Sequence, residues 1–599
     1  MKRMISILFC LVGFAFGETQ VIERDEMVVV AEAMHSAQVV GQDASVAVAL
    51  AATPGIIVNS QGVPGGQSDL SIRGSSFSGA GISISGLSLN SAQTEHFNAE
   101  LPIVAGVLSA PVVLSGFDQV VATEGHLVGT ASFEIMPIDR TRSLTAGVAE
   151  DNGYWLNFLF QESLPVGDEN AVVGIGLFGS HTEINAVDYE DNDLKSTRGG
   201  GQLQYLADDS QSDLIAAYQQ REFGARGYYG VNPDWYADEK TEDTLFLGSW
   251  LNGDTEDSYI RSTVMRREQT DDYTLYWSFP GVYNNEHRTV THSGVLGGRH
   301  YWQDQFALDW RSDIENERIR SISLGNHERY RGSGLLLPRV FLGQWNFSAG
   351  VRYEFFEDDD SELLPQGAVE VAVTERLGLR LSHSQSIRQP SYTELNYESP
   401  ASLGNAGLEN QKAETTELLA TGEITTAVSW HLGLFQRLTY DTVDWIRETQ
   451  DSKRWTAENL GKADTDGVVC GLSYKDLAGN HLSANYSFLH KSSDTEFYSS
   501  RYAFDYPEHY LLLNGLWQIS QYIGLELAQS FRQQVENPMR NSSDSAYNGN
   551  LALHLVPPQN PQMQISFMVS NLWDDDYEYF PGQATISPRR VSAGVTVDW

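Results

Sequence analysis

From about residue 140 to the end of the chain, apolar and polar residues alternate with a period of two. Phe347, Ala349, Val351, Tyr353 and Phe355 alternate with Ser348, Gly350, Arg352 and Glu354. Leu482, Ala484, Tyr486 and Phe488 repeat the pattern, as do Met563, Ile565, Phe567 and Val569. Successive side chains of a strand point to opposite faces, so each segment predicts a strand with one apolar and one polar face. Such strands fit a soluble sandwich, apolar face inward, or a membrane barrel, apolar face toward lipid. Three features favour the barrel. Aromatics lie near strand ends, in "LYWSF" at 275–279 and "YEYF" at 577–580, where an interfacial girdle requires them. The segments are about ten residues long, the length of a tilted transmembrane strand. No linker interrupts the region. At roughly 20 residues per strand and turn it holds about 22 strands, a size at which barrels are plugged. The final stretch, "VSAGVTVDW" at 591–599, reads as a closing strand with an aromatic end at the membrane interface.

The first 140 residues follow other rules. Residues 1–17 combine Lys2 and Arg3, an apolar stretch from Ile5 to Phe16 and the small-x-small triplet Ala15-Phe16-Gly17, which reads as a secretory signal peptide. Residues 18–32 are expected to form a short N-terminal segment ahead of the next unit. Residues 33–140 are rich in Gly, Ser, Ala and Val and mix short strands with glycine turns, which predicts a small globular unit ahead of the barrel at 141–599. The fold expected is mostly β: an N-terminal plug domain inside a transmembrane antiparallel β-barrel.

Composition narrows the partners. Lys and Arg number 39 against 79 Asp and Glu, for a formal net charge of −40, which argues against nucleic acid. Loss of the leader removes Cys10 and leaves Cys470 alone, so no internal disulfide is expected. Neither a G-x-S-x-G nucleophile motif, an H-E-x-x-H zinc motif nor a phosphate-binding loop is present, and an enzyme is not expected.

Several stretches resemble the TonB-dependent outer-membrane transporters. "TPGIIV" at 53–58, "LSIRGSS" at 70–76 and "ISGLSLNSAQTEHFN" at 84–98 are similar in order and spacing to the plug of that family. "RQPSYTELNYESPASLGNAGLENQKAETTE" at 388–417 and "NLWDDDYEYFPG" at 571–582 resemble its late-barrel patterns. The stretch at 114–135 departs from the usual end of the plug and keeps Gly125 and Gly129-Thr130. The resemblance implies residence in the outer membrane of a Gram-negative-type bacterium, with residues 18–32 as a periplasmic N-terminal segment. It also implies energy relayed by the TonB protein, a small-molecule cargo and contact with the outer-membrane assembly machinery through the C-terminal strand.

It further implies candidate sites. Asp25, Glu26, Met27, Val28, Val29 and Val30 occupy the place of the TonB box, an extended β-branched segment suited to strand addition. The alternative is the first strand of the plug. Arg73, in "IRG", is read as an anchor to acidic residues of the barrel wall or as a surface arginine. Residues 221–243 and "SYTELNY" resemble cobalamin-type members, which makes cobalamin or another corrinoid the expected cargo. A ferric siderophore is the alternative, and a passive porin-like channel the alternative of another class. Leu87 and Asn90 on a plug apex, with Tyr228, Tyr229, Trp235 and Tyr236, are candidates to touch cargo. The four aromatics equally fit an interfacial girdle. Asp188, Glu190, Asp191 and Asp193 offer oxygen ligands for Ca²⁺ in an outer loop or form a plain solvated loop. No cofactor is required.

Overall fold

The computed structural model describes residues 45–599 apart from 151, 168–170, 186–191, 230–235, 256, 584 and 586–587. Twenty-two antiparallel strands close into a barrel. Thr141–Ala149 is the first strand and Arg590–Asp598 the last. The two pair through Ser592 with Ala149 to Asp598 with Ser143, so the sheet has no free edge. This excludes the sandwich.

The alternation read from the sequence is the alternation of the wall. Along Asn284–Trp302, Asn285, His287, Thr289, Thr291 and Ser293 are buried toward the lumen, while Glu286, Arg288 and His292 face out. The outer face carries a belt of exposed large apolar residues, among them Leu156, Phe158, Leu203, Leu214, Phe246, Val264, Ile314 and Leu336. In water such a belt would be an aggregation surface; in a bilayer it meets hydrocarbon. No helix among the described residues is long and apolar enough to cross a membrane, and the crossing is made by strands. Where the barrel closes, Trp155 fills a niche above Gly147 and Gly594. A Cβ on Gly147 would meet its ring at 1.9 Å.

The two rims differ. One has two-residue turns, as between Leu194–Ala207 and Ser210–Gly224 and between Trp345–Phe356 and its predecessor Gly325–Leu342. The other carries the long connections. Three of these, at 389–410, 441–462 and 494–506, contribute Ser402–Leu403, Val443–Arg447, Trp455–Asn459 and Ser499–Ser500 to one four-stranded cap sheet.

The plug fills the lumen. A helix, Val46–Ala51, leads into the hairpin Ile56–Gln61 and Gln67–Ile72. A second sheet orders Leu87–Ser88, Ala80–Ile84, Gly129–Phe133 and Val112–Ser115, with the middle pair parallel. Ser85 and Gly86, both at positive φ, form the two-residue turn between Ile84 and Leu87. Ile56, Ile72, Ile82, Ile84, Leu89 and Phe133 form a core that runs on into the wall residues Phe178, Ile215, Leu245 and Met265. Apolar packing therefore seats the plug as well as building it.

Candidate functional site

The long-loop rim encloses a chamber above the plug. Its empty space is about 1150 Å³, open mouth included. The plug supplies the floor through Phe77, Gln93, Thr94, His96 and Phe97. The wall supplies Glu239, Asp271 and Tyr273, and the outer loops supply Tyr229, Tyr283, Tyr397, Trp445, Arg501 and Tyr502.

His96 centres the floor, on the short turn Glu95–Phe97. Its ring stacks on Phe77 with 3.8 Å between centroids. Nδ1 lies 2.8 Å from the buried carboxylate of Asp69, which belongs to the plug strand Gln67–Ile72. Tyr229 stands 6.4 Å from the His96 ring and Tyr502 stands 5.7 Å from it. Tyr229 donates to Glu239 at 2.6 Å, and Gln93 donates to Asp271 at 2.5 Å. Burial pushes the Tyr502 phenol up to about 12.

Beside the chamber, Arg388 joins three elements. Its guanidinium donates to Glu95 of the plug at 2.7 Å and to both oxygens of Glu394 at 3.0 Å. Glu394 in turn closes a capping box with Ser391 at the start of the short helix Tyr392–Asn396. Burial pushes the Glu95 carboxyl up to about 8, against the pull of Arg388.

Below the chamber, wall arginines grip the plug. Arg267 donates to the main-chain oxygens of Leu89 at 2.6 Å and Glu100 at 3.2 Å. Arg311 does the same to Ala122 at 2.6 Å and Gly86 at 2.8 Å. Arg380 holds Asp118 through two bonds of 2.7 and 2.6 Å, and Arg221 reaches Glu100 at 3.3 Å. In the opposite sense, Arg73 of the plug donates to Glu417 of the wall at 2.6 Å. Arg73 is one of the few non-glycine residues at positive φ, 48°, in the tight turn that Gly74 completes. Burying an ion pair costs solvation, so such contacts specify where the plug sits more than how stable it is.

Residues 166–572, more than half of the chain, match the family model described as TonB dependent receptor-like, beta-barrel. The chain belongs to the TonB-dependent receptor family. As such it is a transporter of the Gram-negative outer membrane that works with TonB on a small-molecule cargo. Solved structures share its fold. The FrpB iron transporter from Neisseria meningitidis (F3-3 variant) matches with a TM-score of 0.72 at 13% identity, over 97% of this chain and 100% of that one. The siderophore receptor PirA from Acinetobacter baumannii matches at 0.71 and 13%, over 93% and 96%. A mutant ferric enterobactin receptor (PfeA) from Pseudomonas aeruginosa matches at 0.70 and 12%, over 93% and 96%. No curated protein matches the sequence.

The residues singled out from the receptor's sequence fall in different places. Tyr229 lines the chamber. Tyr228 does not: it is fully buried, in the apolar cluster of Val63, Phe97 and Phe223, and its hydroxyl lies 3.3 Å from Asn192. Tyr236 is half-buried under the guanidinium of Arg226. Leu87 is turned into the plug core by the Ser85-Gly86 turn, and Asn90 bonds His126 at 3.1 Å inside the plug. Neither faces the chamber. Instead the apex presents Gln93, Thr94 and His96. Asp193 is exposed, while Asp188, Glu190, Asp191 and Trp235 lie outside the described residues, as do Asp25, Glu26, Met27, Val28, Val29 and Val30. Among the described residues no cluster of three or more His, Cys, Asp or Glu side chains could hold a metal ion. The wall arginines went unnoticed in the sequence. Their inward parity was readable, but the targets of Arg267 and Arg311 are plug carbonyls, which no side-chain pattern marks.

Proposed function

We propose that this receptor imports iron as a siderophore-type chelate. The observation that carries the reading is the aromatic chamber over the plug. Phe77, Tyr229, Tyr273, Tyr397, Trp445 and Tyr502 offer flat faces and phenols to a bulky ligand with delocalised rings. The names of the matched structures, an iron transporter and siderophore receptors, support it and favour the siderophore over the cobalamin expected from residues 221–243. The filled lumen argues against a passive pore.

The mechanism follows from the geometry and the family. Cargo enters from the long-loop rim and rests on His96 and its neighbours. TonB pairs with the segment at 25–30 by strand addition and pulls. The pull works against the Arg73–Glu417 pair and the wall arginines, which set the position to which the plug returns.

Equilibrium binding to the detergent-purified protein tests the cargo, using ferric catecholate and hydroxamate chelates beside cyanocobalamin, each with and without Ca²⁺. Saturable binding of a ferric chelate and none of cyanocobalamin is expected; the reverse order overturns the reading. Calcium dependence would assign a ligand role to the loop of Asp188, Glu190, Asp191 and Asp193. Deleting residues 25–30 should leave binding intact and abolish energised uptake.

A further inference from the structure

The chamber has two charged ends. At one end stands Arg501, 4% exposed and in the chamber lining. Its guanidinium lies against the rings of Trp455 and Tyr502, at 5.7 and 5.2 Å. Its Nε and Nη2 are buried and have no hydrogen-bond partner. Arg447, against the same Trp455 ring at 5.0 Å, adds a second positive charge rather than a counter-ion. Holding a guanidinium in a mostly buried place costs solvation, and an anionic group at the chamber lining offsets that cost.

At the other end stand Glu239 and Asp271, on neighbouring wall strands. They are close enough to repel each other and to hydrogen-bond to one another, and Arg221 is the positive charge that faces Glu239 from the wall. Asp271 is 5% exposed, and its Oδ1 is buried without a partner. The donors at this end are neutral: Tyr229 to Glu239 and Gln93 to Asp271. The two ends lie across the barrel from each other. Glu239 and Asp271 stand on the sixth and seventh strands of the ring, and Arg501 on the connection between the seventeenth and eighteenth of twenty-two. His96 lies between Tyr229 of the acidic end and Tyr502 of the basic end.

We propose that the cargo is a bipolar chelate, with an anionic group that docks on Arg501 and an ammonium or guanidinium group that docks between Glu239 and Asp271. A carboxylate or similar oxyanion in the chamber answers the charge of Arg501, and the Trp455 and Tyr502 rings hold the guanidinium in place for it. A cationic donor supplies what two facing carboxyl groups need. Chelates bearing one sign of charge satisfy one end and leave the other unpaired, so the chamber selects by charge placement as well as size.

The proposal rests on the iron-chelate reading, and the test separates the two. A ferric trihydroxamate core is prepared in four forms, with a pendant carboxylate, a pendant ammonium, both on opposite sides, or neither. Binding to the full-length protein in detergent is read by quenching of tryptophan fluorescence. The bipolar form should bind at least tenfold tighter than either singly charged form. Arg501→Gln should erase the advantage of the carboxylate and keep that of the ammonium, and Asp271→Asn should do the reverse. Arg501→Lys, which keeps the charge, should recover part of the loss and controls for a folding defect. Equal binding of all four forms overturns the bipolar chamber while the iron-chelate reading stands. Binding of none overturns the bipolar chamber, and failure of a ferric catecholate chelate to bind as well overturns the iron-chelate reading.

Discussion

The Arg73–Glu417 pair gives the sharpest handle on how the plug is held. Glu417 is 2% exposed, and its Oε2 has no hydrogen-bond partner. Arg73→Ala removes the donor on Oε1 and leaves a buried carboxylate with only the more distant charge of Arg380. Breaking a buried pair from one side costs about 3–5 kcal/mol. The Arg73 side chain retains some exposure, which places the expected loss near about 3 kcal/mol. Arg73 also sits at φ 48°, a conformation that costs a non-glycine residue about 1–2 kcal/mol. Arg73→Gly should therefore be less damaging than Arg73→Ala by about 1 kcal/mol, although both lose the same ion pair. The double variant R73M/E417M should be less destabilised than the two single losses summed, with a coupling of about 1–3 kcal/mol. Urea titration followed by brief proteolysis reads plug release, because the plug becomes cleavable while the barrel stays resistant. A shift below about 0.5 kcal/mol for Arg73→Ala would refute the argument, as would equal effects of the alanine and glycine variants.

Three further expectations follow from other parts of the molecule. Asp444 of the cap accepts from the amides of Trp445 and Tyr502, and burial pushes its carboxyl up to about 6; burial likewise pushes Asp505 up to about 7. The folded cap then binds more protons than the open one from about pH 4 to pH 7, so its stability falls as pH rises through that window and levels off above it. Protection factors of the Trp445 and Tyr502 amides should drop between pH 5 and pH 8, and Asp444→Asn should flatten much of the drop; rising protection would contradict the linkage. Gly147→Val drives a side chain into Trp155 at the closing seam and should prevent closure, seen as loss of the folded species in unheated gel electrophoresis. Cys470 pairs with Leu432 and Tyr486 on the lipid-facing parity of its strand, so a membrane-soluble maleimide should label it in vesicles and a charged one should not.

The barrel was legible because its signal is local. Each strand declares its two faces within ten residues, and the number of strands follows from the length of the region. The plug sheet was not, because its central strands, Ala80–Ile84 and Gly129–Phe133, are parallel neighbours separated by more than forty residues of chain. Among the cargo candidates, Tyr229 was placed in the chamber and Tyr228 beside it was not, because consecutive residues of a loop turn in different directions. Leu87 followed from a glycine turn that sequence shows, but the sense of the turn, into the core, depends on Ser85 sharing the left-handed conformation. Arg501 and Asp271 carry meaning only through their places on opposite sides of one chamber, which is a property of three dimensions.

The wall arginines grip main-chain oxygens at Leu89, Glu100, Gly86 and Ala122. A carbonyl is the same group whatever side chain it carries. Substitutions along these plug segments can therefore accumulate without removing a single acceptor from the grip. The fold matches receptors with 12–13% identity over nearly their whole length. A fastening made to the backbone is one that sequence drift cannot easily undo, and it leaves the residues facing the chamber free to change with the cargo.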